Sequence, residues 1–287
     1  MTLGWILQPA ILPWAALFFG LCVGSFLNVV IHRLPKMMER EWRAECAALA
    51  GQEPAKEPAF NLMVPRSRCP SCARQIGALE NIPLLSFALL RGRCANCKAP
   101  IGLKYPLVEA LAGVGAAYAA WRFGFSAAAL GAALFTWATI ALAFIDQETG
   151  LLPDSLTLPL IWAGLLLNIG HTFVALPESV IGAAAGYLSL WLVFWGFKLL
   201  TGKEGMGYGD FKMNAAVGAF LGWKVLPLVI LLSSVVGLAF GALQMLAARG
   251  RWDGGFRFHF GPYLAIAGIF ALYWGEPILR WYTRQLL

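Results

Sequence analysis

The sequence predicts an all-α polytopic membrane protein with about eight transmembrane helices and a small zinc-stapled cytoplasmic domain. Three observations point there. Of 287 residues, 59% are hydrophobic and 13% charged, with a mean hydropathy of +0.68, far too apolar for one soluble domain. Several windows reach the roughly 20 mostly apolar residues that a spanning helix needs. One loop, 33–104, holds 12 Lys or Arg against 6 Glu, a net +6 that supplies most of the chain's formal +7, together with four of the six cysteines in two matched pairs.

Taken in order, the spans fall near 10–32, 105–122, 126–145, 155–175, 178–200, 211–224, 225–247 and 260–280. No signal-peptide cleavage pattern follows the first, so it reads as a retained span. The 211–224 segment is short and contains glycine, which suits a half-span or a helix packed on its neighbour. The positive-inside rule puts the 33–104 loop in the cytoplasm and the N-terminus outside. Alternation then brings Asp146, the 201–213 loop and the basic stretch "ARGRWDGGFRFH" (248–259) to the cytoplasmic side. The basic bias reads as topology and anionic-lipid contact; binding nucleic acid would need a soluble basic face that the chain lacks. The chain divides into a first transmembrane helix (1–32), a zinc-binding loop domain (33–104) and a transmembrane core (105–287).

The loop cysteines, Cys69 and Cys72 in "CPSC" and Cys94 and Cys97 in "CANC", form a C-x2-C-x21-C-x2-C pattern. It suits one tetrahedral four-thiolate zinc ion, closed and structural. Two disulfides or a dithiol redox centre are the rivals, and a reducing cytoplasm disfavours the first. A zinc ion would staple a loop with little capacity for a core. Cys22 and Cys46 read as incidental. The stretch "MMEREWRAECAALAG" (37–51) reads equally as an amphipathic surface helix or as a solvated linker helix, followed by a loose "QEPAKEPAF". In "GSFLNVVIHRLP", Asn28 suits helix packing, and His32 and Arg33 suit topology anchoring. Glu80, Asn81 and Glu109 adjoin apolar runs, and Glu109 inside a predicted span calls for a partner or a site.

Three aspartates matter. Asp154 follows Pro153 before a helix, and capping explains it. Asp146 ends a span, where the negative end of the helix dipole disfavours its ionised form, so it needs another reason. Asp210, in "GYGDFK", caps a short helix or serves a site, and Gly207 and Gly209 permit unusual backbone angles and let another chain's backbone come close, making room for a peptide strand. Two carboxyls sharing a site cannot both ionise comfortably. One can then activate water while the other donates a proton to a carbonyl oxygen, with no metal required. Boundary acids also serve proton pathways, so a proton-coupled transporter stands beside the hydrolytic reading on these residues alone.

The series "GSFLNVVIHRLP", "PRSRCPSC", "ENIPLLSFALLRGRC", "CKAPIGLKYPLVE", "FIDQETGLLPDSLTLP", "GMGYGDFKMNAAVGAFLGW" and "FHFGPYLA" resembles, in order, the bifunctional type IV prepilin peptidases, which are GxGD aspartic membrane proteases. The resemblance implies an enzyme of the bacterial inner membrane that removes the basic leader of type IV prepilins or type II secretion pseudopilins on the cytoplasmic side. It also implies methylation of the new N-terminal amine by S-adenosylmethionine. Asp146 and Asp210 match the family's catalytic pair, Asp154 its non-catalytic acid, and Cys69, Cys72, Cys94 and Cys97 its zinc ligands. The 105–287 region is then the peptidase core and the loop is associated with methyl transfer. No G-x-G-x-x-G follows a strand, so the cofactor site cannot be located by Rossmann logic. Glu80 and Glu109 are the candidates to hold its ribose or amino group. Membrane lipid is the expected surrounding partner, and nucleic acid is not expected.

Overall fold

The computed structural model describes residues 8–53, 58–77, 79–247 and 259–286; the predicted basic stretch 248–259 lies outside them except for His259. Among the described residues the chain is helical, with β-bridges only at Arg68–Gln75 and Arg93–Pro100. The helices are α1 (Leu12–Leu49), α2 (Leu85–Leu89), α3 (Lys104–Phe123), α4 (Ala127–Thr149), α5 (Asp154–Ile169), α6 (Leu176–Thr201), α7 (Tyr208–Leu221), α8 (Leu226–Ala247) and α9 (Gly261–Leu286). A helix stands at each of the eight predicted spans, but only α1, α4, α6, α8 and α9 are long and apolar enough to cross a membrane. The difference has a physical reason. An apolar run does not distinguish lipid-facing from protein-buried surface; α5 and α7, at 16 and 14 residues, are shorter than the roughly 20 a crossing needs, and α3, at 20 residues, carries Lys104, Glu109 and Arg122 and is not apolar enough.

The chain forms two compact units, Met1–Phe125 and Ser126–Leu287. In the first, α1 and α3 pack antiparallel along a seam of small residues. A Cβ at Gly20 would lie 2.6 Å from the Ala112 carbonyl oxygen, and one at Gly24 would lie 2.6 Å from the Glu109 Cα. Glycine thus lets the two backbones touch. One turn on, Asn28 Nδ2 donates to the Tyr105 carbonyl at 3.1 Å. The α1 helix does not stop at the membrane boundary. Its 38 residues reach about 57 Å, well beyond the hydrocarbon thickness, so the first span and the 37–51 stretch are one helix with Pro35 inside it. Arg33 proves to be more than an anchor. It is buried, donates to the Asn61 carbonyl at 2.9 Å, and with Arg40, whose guanidinium lies 4.4 Å over the Phe60 ring, ties the 58–62 segment to α1.

In the second unit the short α7 is the core, with 11 of its 14 residues buried among α5, α6 and α9. Small residues permit this. A Cβ at Gly218 would lie 2.0 Å from the Gly182 carbonyl oxygen, and one at Gly186 would lie 2.5 Å from that of Asn214. A helix ending inside a bundle leaves carbonyls without water. Asn168, fully buried, meets that need. Its Nδ2 donates to the carbonyls of Ala219 (2.9 Å) and Phe220 (3.0 Å), its Oδ1 accepts from the N–H groups of Phe173 and Val174, and the Ser179 hydroxyl also donates to Ala219. Asn168→Ala orphans these groups and is expected to destabilise the unit by about 2–3 kcal/mol. An unchanged thermal midpoint in detergent would refute that account.

Candidate active site

The α4 helix ends at Gly150, whose φ of +69° closes the last turn by bonding its N–H to the Asp146 carbonyl. Asp146, in that last turn, is buried within the second unit and keeps 6% of its surface exposed. Its Oδ2 accepts from the Gly261 N–H at 3.0 Å. Gly261 is the first residue of α9, so a carboxylate disfavoured by its own helix C-terminus lies against the positive end of another helix. That is the reason the sequence left open.

Asp210 is the third residue of α7. Its Oδ2 accepts from the Gly207 N–H at 3.1 Å, which is half of a capping box, and its Oδ1 is buried without a partner. The residue is also 6% exposed, and the two carboxyls lie near enough for Asp146 to act electrostatically on Asp210. The structure therefore brings both predicted aspartates together, each with one oxygen on a glycine N–H. Gly209 has a different use from the one expected. A Cβ there would come 2.5 Å from the Leu152 Cβ, so its space admits the chain's own 151–153 turn. Asp154 begins α5 without a side-chain cap bond, and instead both its oxygens bind Lys212 Nζ, at 2.6 and 2.7 Å. That pair tethers the start of α7 to the start of α5.

In the first unit the four loop cysteines converge. Their Sγ atoms all lie within 4.8 Å of one another, and Cys69 and Cys97 are 3.8 Å apart. A tetrahedral ion with bonds of about 2.3 Å needs sulfurs about 3.8 Å apart. The two CxxC turns repeat one design. Cys69 N–H bonds Arg74 O as Cys94 N–H bonds Ala99 O, Ala73 N–H bonds Cys69 O as Lys98 N–H bonds Cys94 O, and Ala73 and Lys98 share a left-handed φ of 56° and 59°. The Arg74 backbone N–H and then the Asn96 side chain hold the Cys72 thiol down at about 6. Cys97 goes the other way: the Ala99 N–H lowers it, but burial and then the three neighbouring sulfurs push it up to about 11. Four adjacent sulfurs cannot all carry charge unaided, and a cation removes that conflict. The cluster can hold a metal, and all six cysteines are free of disulfides.

Glu80 and Glu109 grip one stretch of backbone. Glu80 accepts from the Gly77 N–H at 3.1 Å and from Arg74 at 2.8 Å, while Glu109, half-buried on α3, accepts from the Leu84 N–H at 2.9 Å and bonds Ser25. Leu84 has a φ of +57°, a conformation that side chains rarely adopt.

Residues 18–123 match the family model described as the bacterial peptidase A24 N-terminal domain, and residues 132–242 match the one described as the type IV leader peptidase family. The chain is 55% identical over 282 residues to the prepilin leader peptidase/N-methyltransferase of Aeromonas hydrophila, covering 96% of this chain and 97% of that protein. It is 52% identical over 278 residues to the protein of the same name in Pseudomonas aeruginosa, covering 96% and 95%.

This chain belongs to the type IV leader peptidase family. No solved structure matches it. In this leader peptidase family member the cysteines and both glutamates fall within the first match, and Asp146 and Asp210 within the second. Sequence reasoning missed Gly261 as the holder of Asp146 and Leu152 as the occupant of the Gly209 gap. The only local signal for the former is a Gly-Pro pair opening the last span.

Proposed function

We propose that this family member is a membrane-embedded aspartic endopeptidase that removes the basic leader of type IV prepilins or type II secretion pseudopilins, then methylates the new N-terminal amine with S-adenosylmethionine. The carrying observation is the pair of buried carboxyls, each fixed by one glycine N–H, with Asp210 Oδ1 unpartnered. One carboxylate takes a proton from water as the water oxygen attacks the scissile carbonyl carbon, and the other carboxyl gives its proton to the carbonyl oxygen. The C–N bond then breaks as the amine takes the proton held by the first, while the second recovers its own from the departing acid. The dyad ends as it began and titrates as a pair, so acid and base are not assigned to single residues.

The net +6 of loop 33–104 supports placing the loop and the dyad at the cytoplasmic face of the inner membrane. Glu148, exposed two residues beyond Asp146, adds negative charge for a basic leader. The four cysteines hold zinc as a structural ion, and lipid surrounds the five long helices. Because α3 packs on α1 in the first unit, the peptidase core expected over 105–287 is narrowed to the 126–287 unit, and the first unit serves methyl transfer.

S-adenosylmethionine, when bound, supplies an electrophilic methyl group. Its ammonium and ribose hydroxyls are donors, and the first unit offers matching acceptors. Glu80 and Glu109 keep spare lone pairs, and Asn28 Oδ1 is buried without a partner one turn from Ser25. Glu80→Ala and Glu109→Ala enzymes are expected to cut normally but to bind and use the methyl donor poorly; methylation at the parent rate would remove both residues from that role. Mass spectrometry of a prepilin incubated with the protein in lipid, with and without the methyl donor, tests the whole reading. Loss of the leader plus one methyl is expected, whereas an uncut substrate overturns it and a cut but unmethylated one removes the second activity.

A further inference from the structure

We propose that the first turn of α9 is a third component of the catalytic site, with Gly261 as the residue that positions Asp146. The inference rests on the dyad reading and goes beyond the leader peptidase match, which ends at residue 242. Each N–H of that turn is accounted for. Tyr263 and Leu264 both donate to the Phe260 carbonyl, Pro262 has no N–H, and the one remaining donor, Gly261, goes to Asp146 Oδ2 across 115 residues of sequence. Pro262 in the first turn also pre-sets the backbone there, so the donor is held in place before any carboxylate arrives.

Glycine is required at 261 for space and not for conformation. Its φ is not among the positive values of the chain's glycines. A Cβ there would lie 2.7 Å from Asp146 Oδ2, 3.0 Å from its Cγ and 3.1 Å from its Cβ. All three neighbours belong to one buried side chain, so any larger residue moves the carboxyl itself. Asp210 is likewise bonded by a glycine N–H, that of Gly207, so the two acids are fixed by glycine N–H groups at the starts of α7 and α9. Rigid placement of this kind matters because a shift of about 1 Å in a reacting group can cost on the order of a hundredfold in rate.

Gly261→Ala is therefore expected to lower kcat for leader cleavage on the order of a hundredfold, with KM little changed and methylation of an already cleaved substrate at the parent rate. Gly268→Ala is the control on the same helix, since its Cβ would press on Val217 and Phe135, at 3.1 and 3.2 Å, and not on Asp146; its kcat should be retained. Any fall in thermal midpoint caused by Gly261→Ala should be relieved in the Gly261→Ala/Asp146→Ala double variant, which lacks the two closest clashing atoms. Parent-like kcat in Gly261→Ala, equal losses in Gly261→Ala and Gly268→Ala, or an unrelieved midpoint each overturns the inference. If Asp146→Asn itself still cleaves, the dyad reading fails; if it is dead while Gly261→Ala is fully active, only the role of Gly261 fails.

Discussion

Asp146→Asn and Asp210→Asn enzymes should each slow leader cleavage by about 10²–10⁴-fold, the contribution of one positioned acid or base, while retaining their ability to methylate a cleaved substrate. The substitution is chosen for its shape. An amide oxygen still accepts from Gly261 at position 146 or Gly207 at position 210, so the hydrogen bonds that seat each side chain survive. What disappears is the capacity to hold and release a proton. Because the two carboxyls act as one unit, the double variant should be scarcely slower than either single one. Rates of leader loss from a reconstituted prepilin measure this directly, and full cleavage by either single variant would remove the dyad from the mechanism.

The contrast between local and distant information explains what could be read in advance. The cysteine pairs were legible because a CxxC turn is a short-range object, and the repeated bonds from Cys69 to Arg74 and from Cys94 to Ala99 are encoded within six residues each. The helices were legible as apolar runs, and α7 as an irregular one, since a short glycine-containing segment cannot cross alone. Which helices face lipid was not legible, because burial of α7 depends on Gly182, Gly186 and Gly218 meeting across α6 and α7, and composition does not record who packs on whom.

Asp146 marks the boundary well. The sequence exposed its conflict with the α4 dipole, yet the resolution is an N–H 115 residues away, which no periodicity can supply. Arg33 is similar: its place at the end of an apolar run suggested an anchor, and only the fold shows that the 58–62 segment folds back onto it. The α1 helix runs through Pro35 to Leu49 and joins the predicted 10–32 span to the 37–51 stretch, because a change from apolar to charged residues ends a span without ending a helix. The chain's next strong breaker is Gly51, with a φ of +68°.

Removing one of the four clustered cysteines should unfold the loop and spare the peptidase. Among the described residues from 58 to 103, Cys69 is the only buried one, so this stretch has no hydrophobic core to fall back on. Its order must come from the four-cysteine cluster, the clamps of Glu80 and Glu109, and the Arg33 and Arg40 contacts. Of these, only the four-sulfur cluster joins the two CxxC turns to each other, since Asn96 adds just one weak contact to Cys72 at 3.7 Å. Cys94→Ser is therefore expected to lose its zinc and to raise the rate of limited proteolysis between the two turns on the order of tenfold or more, as for other metal-dependent small folds. Methylation should fall with it and leader cleavage should persist, because the aspartates belong to a separate compact unit. Acid should act in the same direction. Thiolate ligands must stay deprotonated to bind, so metal should be released as the pH falls from neutral into the acid range. Metal content by atomic spectroscopy across that range is the measurement, and a Cys94→Ser protein that keeps one zinc and parent protease resistance would show that the cysteines are not what holds the loop.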